Sequence, residues 1–201
     1  MPHLYEALTW TIDEPDRPLE FVFHNDGEVL AKATRVAPPR QGDAAMPYAN
    51  PHGQADDSRL MLCVAGADGT PYFYVDHTRD PMVTSPSFVV SPDGGLIGSV
   101  AVKRGGLKEA FTLFRGRGEV RMVIQDADRQ PVAMMTTPLD PTVDGRLTDA
   151  RGGAELGRYR ERALDGGRRR RRVMRLNQAL PEPARTLVLG SLIGVELMVP
   201  R

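Results

Sequence analysis

Cysteine, lysine and aromatic residues are scarce in this 201-residue chain, and each scarcity narrows what it can be. A single cysteine, Cys63, rules out an intrachain disulfide framework, the usual device of small secreted domains. The start, MPHLYEALTWTIDE, lacks a basic segment followed by an apolar one, so no signal peptide is expected and the cytoplasm is the natural assignment. No apolar run approaches the roughly 20 residues that a membrane-crossing helix needs. Lys32, Lys103 and Lys108 are the only lysines among 26 basic residues, so arginine supplies almost all the positive charge. Motif chemistry is equally thin. There is no phosphate-binding Walker loop, no GxSxG nucleophile elbow and no calcium loop. His3, His24, His52 and His77 are too far apart in sequence to form a metal-ligand spacing. Asp76 and His77 are adjacent, so on a strand they point to opposite faces and cannot act as a dyad. Cys63 lies between Leu62 and Val64 and reads as a buried structural thiol. An enzyme is therefore not expected; a hydrolase using loop carboxylates has no motif behind it. No cofactor or metal is implied.

What the sequence does contain is a repeated unit of apolar run, turn with Gly or Asp, apolar run. It occurs at 19–36, 59–77, 87–103, 119–137 and 155–176, with turns at Asn25-Asp26-Gly27, Ala67-Asp68-Gly69, Asp93-Gly94-Gly95, Asp126-Ala127-Asp128 and Asp165-Gly166-Gly167. Glycine and asparagine accept the positive φ of tight hairpin turns, and aspartate tolerates it better than most residues. This many hairpins in a chain of one-domain length predict a closed antiparallel β-barrel or a sandwich, since closure removes exposed strand edges. Residues 37–58, with four prolines and no period, read as a mobile loop insertion, and 138–153 as a shorter connector. Residues 106–115 fit either a helix or a strand, with a strand from Ala110 preferred.

The chain closes on ARTLVLGSLIGVELMVPR. In Leu187–Val199 only Gly190, Ser191, Gly194 and Glu196 are not strongly apolar, and Pro181 and Pro183 precede the run as they suit a helix start. A helix over 182–199 would be apolar around its whole circumference, which requires protein on all sides. The prediction is a helix enclosed by the sheet, with Gly190, Ser191 and Gly194 admitting close approach of the strands.

This combination, carried by FVVSPDGGLIGSVAV, VRMVIQDADRQPVAMMT and ARTLVLGSLIGVELMV, resembles the tubby C-terminal-like superfamily, of the phospholipid scramblase and LURF-one-related type. The likeness is greatest to compact bacterial members. It covers about Leu19 to Val199 and implies a barrel around a C-terminal helix in a single 1–201 domain. The Pro-rich tail, cysteine cluster and calcium-binding segment of the scramblases are missing, and no tubby-type phosphoinositide motif transfers residue by residue.

Charge is distributed unevenly. Residues 1–100 hold 14 acidic and 6 basic residues and residues 101–201 hold 12 and 20, although the whole chain is neutral. The excess peaks in one hairpin. Arg158, Arg160 and Arg162 alternate along GRYRERAL and would share a strand face; Arg168, Arg169, Arg170, Arg171 and Arg172 follow the turn, then Arg175. As hairpin partners these arginines would stand beside one another, at a cost in repulsion unless an anion or carboxylate intervenes. An anionic phospholipid headgroup or membrane surface would supply that anion, which makes a non-catalytic binding module, peripheral at the membrane, the leading functional expectation. The competing expectation is a cytoplasmic protein-interaction or scaffold domain whose arginines pair with Glu155, Glu161 and the acidic N-terminal half. Nucleic acid is disfavoured, because only Tyr159 interleaves with the arginines as a stacking residue.

Overall fold

The computed structural model describes residues 3–14, 19–37, 59–78, 85–103, 119–138, 143–164 and 169–198, with Ala163 and Arg169 described by backbone alone. Twelve strands follow one another: β1 (Thr9–Asp13), β2 (Phe21–Asn25), β3 (Glu28–Val36), β4 (Arg59–Gly66), β5 (Pro71–Thr78), β6 (Ser87–Val90), β7 (Leu96–Val102), β8 (Glu119–Asp126), β9 (Pro131–Pro138), β10 (Gly145–Asp149), β11 (Glu155–Leu164) and β12 (Arg169–Leu176). A helix, α1 (Ala184–Met198), the only one among the described residues, follows them. Each strand pairs antiparallel with its sequence neighbour, and β1 pairs with both β2 and β12 to close the barrel. Of the expected loop insertion, 38–58 lies outside the described residues, as do 106–115.

Two strands depart from the sequence expectation. Thr9–Asp13 was not predicted, yet it closes the barrel by setting Trp10 against Met174 and Ile12 against Phe23. Gly145–Asp149 is a strand inside the segment read as a connector. Its five residues alternate, with Gly145 and Leu147 inside and Arg146 and Thr148 outside. A strand this short carries too little apolar signal to stand out until β9 and β11 flank it.

The turns joining β2 to β3, β4 to β5, β6 to β7, β8 to β9 and β10 to β11 lie at one end of the barrel. In the β2–β3 turn Asp26 and Gly27 take φ of 47° and 85°, the left-handed pair that a two-residue hairpin loop requires. The helix enters from this end and runs up the lumen. All of α1 except Ala184 and Val195 is buried. On one wall it meets Ser87, Val89, Gly98 and Val100 of β6 and β7. On the opposite side Arg185 donates to the Ala7 carbonyl at 2.7 Å, with its guanidinium 5.9 Å from the Trp10 ring centre. Close approach rests on two helix glycines. A Cβ at Gly190 would sit 2.6 Å from Val89 Cγ2, and one at Gly194 3.0 Å from Ser87 Cβ. Ser191, expected to act with them, instead donates its hydroxyl to the Val188 carbonyl within the helix. The lumen is otherwise filled by inward residues such as Phe23, Leu62, Phe73, Ile124, Leu147 and Met174, each fully buried and each contributing roughly 1.5–3 kcal/mol. Among the described residues no helix is long and apolar enough to cross a membrane.

Candidate functional site: an arginine face on the barrel wall

Strand parity divides the arginine-rich hairpin between two environments. In β11 and β12 the residues Gly157, Tyr159, Met174 and Leu176 face the lumen, so residues of the same parity must follow them inward. Arg158, Arg160 and Arg162 are on the outer face, as the alternation predicts, together with Arg171 and Arg175. The register sets Arg158 opposite Arg175, Arg160 opposite Val173, and Arg162 opposite Arg171. Five guanidinium side chains thus surround the half-buried Val173. Thr9, Thr11 and Asp13 of β1 flank them on the next strand.

Arg172 and Arg170 do not belong to this face. Arg172 shares the parity of Met174, leaving its side chain 4% exposed. It forms an ion pair with Glu196 of α1 and another with Glu161 at 3.0 Å. Desolvation would press its guanidinium pKa down, but the two carboxylates outweigh it and the net shift is upward. Arg170, two residues nearer the rim, reaches Glu161 at 3.1 Å and Glu196 at 3.9 Å. An outside ligand cannot reach Arg172, and these two arginines serve to hold the helix against the wall. Arg169 is placed in β12 opposite Leu164 by its backbone, and Arg168 lies outside the described residues.

Carboxylates neutralise part of the outer face. Arg171 holds Asp13 through both ends of its fork, at 2.7 and 2.8 Å. Arg160 likewise grips Asp144, and Arg158 grips Glu155 at 2.7 and 3.2 Å. Hydrogen bonding from Arg160 and from Arg158 holds the Asp144 and Glu155 carboxyls below their ordinary range. The Glu155 contact depends on an irregularity in the backbone. Three residues apart on a regular strand, Glu155 and Arg158 would face opposite sides. The pairing shifts between Leu147 and Thr148, so that Leu156 is extra and Glu155 lands on the outer face opposite Thr148.

One contributor was missed from sequence. Arg146 of β10 stands directly opposite Arg158 and is exposed, so Arg146, Arg158 and Arg175 form an in-register row on three adjacent strands. The alternation of GRLTD was the available signal, hidden by its brevity. Among the described residues, Arg146, Arg162 and Arg175 have no carboxylate within ion-pair distance.

The remaining chemistry-bearing residues are dispersed. His77 faces inward to the Ser87 hydroxyl at 3.1 Å, whereas Asp76 faces the other way and binds Arg59 at 2.7 Å. His24 lies 3.8 Å from Asp13 on the outer wall, and His3 packs on Tyr5 and Tyr72 at the turn end. His52 falls outside the described residues. Cys63 is half-buried, and desolvation pushes its thiol up, away from the thiolate. Among the described residues no three His, Cys, Asp or Glu side chains stand together as metal ligands. Compared with protein-family models, with curated proteins and with solved structures, the chain matches none.

Proposed function

We propose that the protein is a non-catalytic module that binds anionic phospholipid headgroups at a membrane surface through the outer face of β10–β12. The observation that carries this reading is the ring of Arg158, Arg160, Arg162, Arg171 and Arg175 around Val173, with Arg146 beside it. Six outward arginines face three carboxylates, so the face keeps a positive excess even with every ion pair made. Like charges set directly across strands destabilise a sheet by some tenths of a kcal/mol per pair, a cost that an external anion would relieve. Membership of the tubby-like group belongs to the same proposal; a closed antiparallel barrel around a C-terminal helix supports it. The ion pairs to Glu155, Asp144 and Asp13 favour a second reading, a protein-interaction domain whose arginines are satisfied within the chain.

Sedimentation with phosphatidylglycerol vesicles at low salt separates the two. Each basic residue near such a surface contributes about 1 kcal/mol. Replacing Arg158, Arg160, Arg162, Arg171 and Arg175 by Gln should therefore abolish measurable binding, and raising salt should weaken the wild type through screening. A wild type that ignores these vesicles at low salt overturns the proposal in favour of the interaction domain.

A further inference from the structure

We infer that Arg146, Arg158 and Arg175 form a subsite for one dianionic phosphate monoester, carried on a lipid headgroup or free in solution; this rests on reading the outer face as an anion-binding surface. The three residues occupy equivalent positions on β10, β11 and β12. Neighbouring strands are about 4.8 Å apart, so each guanidinium has the next within reach of a shared tetrahedral group. Thr136 of β9 and Thr9 of β1 continue the row on either side and bring a hydroxyl to each end.

Charge matching selects the ligand. Within this row the one carboxylate, Glu155, is hydrogen-bonded to Arg158 and feels the charge of Arg146, while neither Arg146 nor Arg175 has a carboxylate within ion-pair distance among the described residues. The row therefore carries an excess of two positive charges. A phosphate monoester carries about −1.5 to −2 at neutral pH, whereas a phosphodiester carries about one negative charge. The next outward row sets Arg160, already held by Asp144, opposite Val173, and the row beyond it cannot do the same either. There Arg162 stands beside Arg171, but Asp13 already holds Arg171 through both oxygens, leaving an excess of one. Guanidinium forks bind phosphate oxygens in pairs, a geometry that an ammonium group lacks.

The test compares vesicles containing phosphatidic acid, a monoester, with vesicles containing phosphatidylglycerol, a diester, adjusted to equal surface potential. The wild type should prefer phosphatidic acid by about tenfold, the scale of one additional charge-assisted contact. Arg146→Gln and Arg162→Gln each remove one outward charge and should weaken phosphatidylglycerol binding alike, but only Arg146→Gln should collapse the preference. Arg146→Lys, which keeps the charge and loses the fork, should retain only part of it. A preference of one in the wild type overturns the subsite while leaving the membrane reading intact, as does a preference that both Gln variants preserve. NMR of the arginine side chains with glycerol 3-phosphate distinguishes the free-phosphate source. If the wild type ignores both vesicles yet glycerol 3-phosphate shifts Arg146 and Arg175 resonances and not Arg162, the membrane reading fails and the subsite stands. No response to vesicles or to glycerol 3-phosphate sinks both.

Discussion

Arg171 and Arg172 are consecutive, chemically identical and each ion-paired, yet replacing them by Gln should have very different consequences. Arg171 is 45% exposed and pairs with Asp13 on the outer wall. Exposed pairs contribute about 0.2–1 kcal/mol, and removing Arg171 also relieves its repulsion with Arg162 across the hairpin. Its loss should cost less than about 1 kcal/mol. Arg172 is inside the barrel against Glu196, itself 4% exposed, and against Glu161. Removing it takes the close cation from Glu196 in a low-dielectric lumen and leaves Arg170 at 3.9 Å, and breaking such a buried pair costs about 3–5 kcal/mol. For a domain of this size 1 kcal/mol moves the midpoint by roughly 2–4 °C, so Arg172→Gln should lower the melting temperature by roughly 6–20 °C and Arg171→Gln by only a few degrees at most. Thermal and urea unfolding followed by circular dichroism would measure both. A double variant, Arg172→Met with Glu196→Leu, should recover most of the loss, because packed apolar groups replace a buried pair at little net cost. Equal shifts for Arg171→Gln and Arg172→Gln would refute the division of the hairpin into inner and outer faces. A double variant as unstable as the single would show that the damage is steric and not electrostatic.

Gly190→Ala should destabilise although alanine is the better helix former. The propensity gain is about 1 kcal/mol, but the added methyl would lie 2.6 Å from the stiff Val89 side chain, and overpacking of a filled core costs about 1–3 kcal/mol; a rise in unfolding midpoint would contradict the tight seat on β6. Gly98→Ala should be worse, since its Cβ would stand 2.1 Å from the Gln125 carbonyl oxygen, a backbone atom that cannot rotate aside. Chemical denaturation should place it below Gly190→Ala in stability. The lowered carboxyls of Asp144 and Glu155 contribute stability that is complete above the usual carboxylate range and is lost as pH falls through their depressed values. Acid unfolding should accordingly fall off less steeply in an Arg158→Gln/Arg160→Gln variant than in the wild type, and identical curves would contradict those pairings.

The period-two alternation of the strands and the all-round apolarity of the closing run are local properties, and from them the barrel and its buried helix were legible. Even the inward turn of Arg172 is implicit in the order Met174, Arg175, Leu176, which sets the phase of β12 and extends back through the arginine run. Nothing local reports what waits inside for Arg172, because Glu196 lies on another element and reaches it only once the helix is threaded through the lumen. The short strands β1 and β10 were illegible for a related reason: five residues apiece gain their hydrogen bonds from neighbours distant in the chain, Thr9–Asp13 from β12 above all. That closure brings Asp13 to Arg171, and β10 brings Arg146 to Arg158. The bulge at Leu156 then decides that Glu155 faces outward, a one-residue shift of phase that alternation along the chain cannot reveal. Sequence thus determined which residues alternate and which run must be enclosed. Only the tertiary structure decided which arginines share a surface and which carboxylates they meet, because register between strands is set by pairing across the whole closed sheet.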